Sequence, residues 1–233
     1  MNSFSVPESS IIGSAEDMDL LEKKKSAKLL VISDSHGDVQ VFAKIIHEFG
    51  ADCDAIVFCG DGICDLVSCL NEAATEEKIA SLLPPVIVCV RGNGDGEQYP
   101  ADFFSDGNTS QESSSVPRYF NVLSTVMFRA AGRTLLCVHG NRHGVDFGTE
   151  TLSATAETMD CDIVLFGHTH RPHREDAGAT LVLNPGSCSR PRGGFPPTFA
   201  IISFPGKTER YHVDFFEIRE TLFGGYSFSP FYV

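Results

Sequence analysis

The amino-acid sequence predicts an α/β fold built on a mixed sheet, on three observations. From Lys28 to Val90, apolar runs of strand length alternate with segments of helical periodicity, which favours parallel strands and right-handed crossovers. Beyond Gly167 the helical signal fades and strand-like runs follow one another. Five apolar runs end in Asp, Asn or His beside glycine.

Taken in order, Met1–Ser26 is polar and Ser-rich, and it reads as a flexible N-terminal tail before one domain over 27–233. A short helix around Asp17–Lys25 is the alternative reading within it. Lys28–Ser33 is the first strand. Asp38 is placed to cap a helix in which Phe42, Ile45, Ile46 and Phe49 share a face, and Gly50 stops it. Ala55–Cys59 is the second strand. A helix from about Leu66 to Leu83 ends at Pro84-Pro85. Val86–Val90 is the third strand. The segment 102–117, with Asp106-Gly107-Asn108 and a serine run, reads as a flexible insertion. Arg118–Ala130 and Thr134–Val138 are strands joined by a turn at Gly132. A helix near Phe147–Met159 precedes the strand Ile163–Phe166. Thr180–Leu183, Thr198–Phe204 and Arg210–Ile218 complete the strands.

Composition bounds the function. The 233 residues, 42% hydrophobic, suffice for one sizeable core. The formal net charge of −13 argues against nucleic acid as a preferred polymer partner, because such binders are basic. No run is long and apolar enough to span a membrane, and the acidic N-terminus does not read as a transit peptide. The eight cysteines include no Cys-x-x-Cys pair, and Cys59, Cys89 and Cys137 fall inside apolar strands. They read as reduced thiols in a cytoplasmic protein. Homo-oligomerisation is left open.

The chemistry lies where the strands end. Asp34 and His36, Asp61, Asn93, His139, and His168 with His170 each follow an apolar run, and open α/β sheets gather reactive groups at the carboxyl ends of strands. The set mixes oxygen and imidazole without thiolate, which suits Mn, Fe, Ni or Zn. It is too large for one ion and about right for two. Alternation in an extended loop would point Asp34 and His36 the same way. Read singly, each residue has an ordinary account: an Asx turn at Asp34, a Gly-Asp-Gly turn at Asp61, an Asn-Gly turn at Asn93, satisfied histidines at His139 and His168. Arg142, His143, Arg171, His173, Arg190 and Arg192 lie near these motifs. Most read as surface charge, and His143 and Arg192 are the candidate phosphate contacts.

In order, Asp-x-His, Gly-Asp, Gly-Asn, His and Gly-His-x-His resemble the calcineurin-like metallophosphoesterases. Asn184-Pro185-Gly186-Ser187 followed by Arg190-Pro191-Arg192 is similar to their small, single-domain phosphodiesterase branch, of which the retromer scaffold subunit is a relative. The resemblance covers roughly Lys28 to Phe216. It implies a four-layer α/β/β/α sandwich of two mixed sheets flanked by helices. It implies two divalent ions, Mn foremost and Fe, Ni or Zn as alternatives. One would be held by Asp34, His36, Asp61 and His170, and the other by Asp61, Asn93, His139 and His168, with Asp61 bridging. The implied activity is hydrolysis of small phosphodiesters by a metal-bridging hydroxide, with no side-chain nucleophile. A phosphomonoesterase, or a catalytically weak scaffold of the same fold, are the alternatives. One departure stands out: many members carry a histidine after the motif asparagine, able to protonate the leaving group, and here that residue is Gly94. No Gly-x-Ser-x-Gly elbow, P-loop or dinucleotide fingerprint is present.

Overall fold

The computed structural model describes residues 10–100, 119–206 and 211–233. The insertion expected over 102–117 lies outside them. In chain order the elements are β1 (Ile11–Ile12), α1 (Ala15–Lys23), β2 (Ser26–Ile32), α2 (Val39–Phe49), β3 (Ala55–Phe58), α3 (Ile63–Thr75), α4 (Glu77–Ala80), β4 (Val86–Cys89), β5 (Gln98–Pro100), β6 (Tyr119–Asn121), β7 (Thr125–Ala130), β8 (Arg133–Val138), α5 (Glu150–Thr158), β9 (Ile163–Leu165), β10 (Pro172–Ala177), β11 (Thr180–Pro185), β12 (Thr198–Pro205), β13 (His212–Glu220) and β14 (Tyr226–Phe231).

The strands form a seven-stranded sheet ordered β1-β4-β3-β2-β12-β13-β14, a five-stranded sheet ordered β10-β11-β9-β8-β7 and a small β5-β6 pair. Both large sheets are mixed. β2, β3 and β4 run parallel, as do β8, β9 and β11, while the outer strands pair antiparallel.

Side-chain alternation builds the layers. Along β2, Leu30 and Ile32 face α2 and α3, packing on Phe42, Ile45 and Leu66. Leu29 and Val31 face the other way, against Leu135, Ile163 and Leu183 of the second sheet. The second sheet in turn offers Leu136, Val138 and Val164 to Leu152 and Ala156 of α5. Strands buried on both faces read as unbroken apolar runs, which is why their sequence signal is strong. The result is the α/β/β/α sandwich.

Local chemistry sets the element ends. Asp38 caps α2, its side chain accepting from the Val41 N–H, and Gly50 follows its last turn. The helix expected over Leu66–Leu83 instead begins at Ile63 and breaks at Glu76, whose extended backbone separates α3 from α4. Two long edge strands lie outside the runs expected from the sequence. β10 is an edge strand of alternating exposure rich in charge, and β14 is a half-exposed edge strand.

Residues 1–9 of the flexible tail expected over 1–26 lie outside the described residues, and from Ser10 onward that expectation is corrected, because the chain there is ordered against the sheets. β1 pairs with β4 through Ile11↔Val88 and Ile12↔Ile87, covering what would be a bare sheet edge. α1 opens on a Ser14–Asp17 capping box and buries Leu21 at the end of the inter-sheet core. The carbonyls of Leu21 and Glu22 accept from the N–H groups of Ala131 and Gly132, both at 2.9 Å. Leu21→Ala should therefore destabilise the protein by about 2–5 kcal/mol. Urea unfolding measures this, and an unchanged midpoint would mean that α1 is detached in solution.

Candidate metal centre

The chain leaves β2, β3, β4, β8 and β9 at one common edge of the two sheets, and the candidate residues sit within a few positions of those strand ends. The loops are sharper than alternation predicts. Asp34 (φ 55°), His36 (47°), Asp61 (57°), His168 (70°) and His170 (57°) all occupy the left-handed region. The extended loop expected at Asp34–His36 is corrected accordingly: the two side chains meet through turns. Such backbone costs on the order of 1–3 kcal/mol per residue and persists only where neighbours hold it.

Those neighbours are visible. The Asp34 N–H donates to the Gly60 carbonyl at 2.9 Å and the His36 N–H to the Asp61 carbonyl at 3.0 Å. Ser187 and Ser189 hydroxyls donate to the Asp34 carbonyl at 2.7 and 3.2 Å. Asp95 holds the opposite loop: its carboxylate accepts from the N–H groups of Asp61, Gly62, Ile63 and Gly92 at 2.7–3.0 Å. Buried Asp65 accepts from the Ser35 hydroxyl at 2.5 Å and the Gly37 N–H at 3.0 Å. Gly92 and Gly167 permit the close approach. A Cβ on Gly92 would lie 2.1 Å from Asp61 Oδ1, and one on Gly167 would lie 2.8 Å from Asp34 Oδ2.

Two groups of ligand-capable atoms converge: Asp34, His36 and His170, and Asp34, Asp61 and His139, each within 4.8 Å. His170 Nε2 stands 3.2 Å from Asp34 Oδ1, and His139 Nε2 3.5 Å from Asp61 Oδ2. His36 Nε2 faces His170 Nε2 at 3.0 Å. Asn93 Oδ1 is 3.2 Å from His139 Nε2. His168 stands beside this set, its ring 5.1 Å from that of His139, but its Nε2 is turned to Asp146 Oδ2 at 3.0 Å.

The outer nitrogens decide what the inner ones can do. His139 Nδ1 lies 2.8 Å from the Cys59 carbonyl and His170 Nδ1 2.5 Å from that of Arg190. Only a protonated Nδ1 satisfies a carbonyl, so in the neutral rings each Nε2 presents a lone pair. These lone pairs face carboxylate oxygens, and Asp34 Oδ1, fully buried, has no hydrogen-bond partner. Acceptors aimed at acceptors in a buried site need a cation among them. Protons are one kind. His139 is raised above its ordinary range: burial alone would lower it, but the Asp61 carboxylate and the charge of Asp34 prevail. Asp61 is brought down to about 2, since the His139 bond and the Gly94 N–H outweigh its own burial. A divalent ion, bound by oxygen and imidazole nitrogen, fits the same places, so the residues suit the implied metal.

The phosphate-contact candidates lie further out. His143 is half-buried in the turn after His139, its Nδ1 without a partner, and burial lowers it below the usual histidine range. Arg192 lines a cavity of about 480 Å³, together with Asp146, Thr169 and Arg171. Arg190 donates to the His36 carbonyl at 3.3 Å. Sequence reasoning missed Asp95, Asp65 and Asp146. Asp95 had a signal, being the acidic residue of a Gly-Asn-Gly-Asp-Gly run, but nothing in the sequence tied Asp146 to His168.

The calcineurin-like phosphoesterase superfamily domain matches residues 28–207. The chain is 28% identical over 182 residues to phosphodiesterase YfcE of Escherichia coli strain K12, covering 75% of this chain and 86% of that protein. It is 26% identical over 175 residues to the probable metallophosphoesterase YsnB of Bacillus subtilis, covering 75% and 83%. Among solved structures, Vacuolar Protein Sorting 29 from Cryptosporidium parvum shares the fold with a TM-score of 0.60 at 18% identity, over 89% of this chain and 99% of that one.

Two measurements test the centre. Ions that bind only the native state stabilise it by mass action, so Mn²⁺ should raise the melting temperature and a chelator lower it. Because imidazole must shed its proton to ligate, and His139 holds its proton more tightly than usual, the Mn²⁺-induced rise should be larger at pH 8 than at pH 6. A melting temperature indifferent to metal at both pH values would refute the site. Asp95→Ala leaves four loop N–H groups unsatisfied and should cost about 3 kcal/mol or more in urea unfolding, with weaker metal binding. Wild-type values for both would show that the loop stands without it.

Proposed function

The chain belongs to the calcineurin-like phosphoesterase superfamily, and from that premise we propose that it is a two-metal phosphodiesterase acting on small phosphodiesters. The observation that carries this reading is the buried, partnerless Asp34 Oδ1 facing imidazole lone pairs. Asp34, His36, Asp61 and His170 would hold one ion, and Asp61, Asn93, His139 and His168 the other, with Mn the first candidate. Bound there, divalent cations supply positive charge for the phosphoester and acidify water enough for attack near neutral pH.

The protein's own groups set the rest of the chemistry. No side-chain nucleophile is needed, and among the described residues no cysteine thiol at the centre is poised as one. Burial holds the nearby thiols of Cys59 and Cys188 well above their ordinary range, so neither is a thiolate. Asp61 stays ionised, its Oδ1 fixed by the Gly94 N–H at 2.7 Å. His168 would exchange Asp146 for its ion, leaving Asp146 free to accept a hydrogen bond at the rim. The converging donor set favours turnover over a purely scaffolding role. Eight free cysteines fit a reducing compartment such as the cytoplasm. Hydrolysis of bis(p-nitrophenyl) phosphate with Mn²⁺ tests the reading, and its absence across a panel of divalent metals would contradict it.

Proton supply to the leaving group is the weak point of this centre. Gly94 has none to give, and His143, lowered by burial, is neutral at pH 7. General acid catalysis contributes about 10²–10⁴-fold where a leaving group needs a proton. The enzyme should therefore prefer aryl to alkyl phosphodiesters by about 10²-fold or more. Gly94→His is sterically feasible. Gly94 lies outside the left-handed region, and a Cβ there would meet Asp61 Oδ1 at 3.2 Å, a small adjustment. Asp95 is already committed to the loop N–H groups and will not orient the new ring. The variant should gain most on alkyl substrates, with a shallower dependence of rate on leaving-group pKa. Parallel dependences for wild type and variant would refute the missing-acid account.

A further inference from the structure

We propose that the cavity beside His168 is a second anion subsite, in which Arg171 and Arg192 select phosphodiesters whose alcohol carries an additional anionic group. This rests on the phosphodiesterase reading of the adjoining centre. Asp146, which holds His168 Nε2, and Thr169, between His168 and His170, both line the cavity, so it and the centre share a wall. Its volume of about 480 Å³ suits a nucleoside-sized group, and Phe195 gives it an aromatic surface.

The two arginines are the unusual feature. Among the described residues, neither guanidinium has a hydrogen-bond or ion-pair partner. Both side chains are exposed to solvent, so water satisfies them as they stand and leaves the pair open to an anion that enters the cavity. Their positions are built. The Arg192 N–H donates to the His170 carbonyl at 3.1 Å, fixing its loop to the metal-ligand loop. Arg171 passes so close to Gly193 that a Cβ there would lie 2.9 Å from its Nε, and Gly193 also has φ 70°. Three acidic groups share the cavity, and Asp146 is engaged only while His168 faces it rather than an ion. Asp146 faces His168, and Glu175 accepts from Thr149 at 2.5 Å and lies 3.4 Å from His173. Glu150 is exposed in the first turn of α5, where a helix N-terminus favours its charge. Guanidinium suits bidentate contact with phosphate, which is what would let Arg171 and Arg192 hold an anion in the presence of these carboxylates.

The test compares two substrates that share a leaving group: the p-nitrophenyl ester of thymidine 5′-phosphate, with and without a 3′-phosphate. With Mn²⁺, wild type should prefer the 3′-phosphorylated ester by about tenfold or more in kcat/KM, expressed in KM. Arg171→Gln and Arg192→Gln should bring that ratio to within about twofold of one. A wild-type ratio of one or below, or a ratio preserved in both variants, would overturn the subsite. A parallel loss on both esters would assign the arginines a structural role and equally overturn it. Calorimetric binding of thymidine 3′,5′-bisphosphate against thymidine 5′-phosphate, in chelator, reads the subsite without turnover. The same tenfold difference, lost in the variants, is expected there. Absence of turnover on both esters, with that binding difference intact, would contradict the phosphodiesterase reading and leave the subsite standing.

Discussion

Everything at the carboxyl edge of the two sheets follows from one electrostatic constraint: too many lone pairs meet in too little water. Asp34 Oδ1 is buried and unpartnered, and the inward Nε2 atoms of His139 and His170 are committed to being acceptors by the carbonyls behind them. Such an arrangement is stable only with positive charge between the groups. Protons supply part of it, as the raised His139 shows, but they supply it singly and only at low enough pH. Divalent ions supply it in full, which links the fold's stability to the chemistry it can perform.

The architecture exists to hold that conflict in place. The Cys59 carbonyl belongs to the loop after β3 in one sheet and His139 to the loop after β8 in the other, so the bond between them is also a tie between sheets. The Asp34 carboxylate makes a second tie, accepting from the His168 N–H at 3.1 Å. Five left-handed residues are each unfavourable alone. The Asp34–His36 and Asp61 loops are held by donors to the Asp95 and Asp65 carboxylates and by the Ser187 and Ser189 hydroxyls, and His168 and His170 by the Asp34 carboxylate and the Arg192 N–H. Packing of three apolar layers stabilises the sheets enough to carry this local strain.

Much of this was legible in the sequence because its signals are local. Leu29–Ile32, Ala55–Phe58 and Val86–Cys89 are buried on both faces, so each reads as an unbroken apolar run. The polar residue that ends each run announces itself. Asp38 and Gly50 marked α2 for the same reason. What escaped depends on distant partners. β10 is a charged edge strand with no apolar pattern, recognisable only by its pairing with β11. Ile11–Ile12 is too short to read as a strand, and it orders only because β4 has an open edge. Asp95 resembles a turn residue until four backbone N–H groups from two loops are seen to converge on it. The left-handed turns at Asp34 and His36 have no sequence signal, since nothing in Asp-Ser-His-Gly alone specifies positive φ.

The central claim is that this convergence is a two-ion centre with Asp61 between the ions. Counting bound metal is its most direct test. After chelation and equilibrium dialysis against Mn²⁺, the account predicts about two ions per wild-type chain and about one or fewer in Asp61→Asn. A wild-type chain that retains one ion or none, or an Asp61→Asn chain that still retains two, would contradict it.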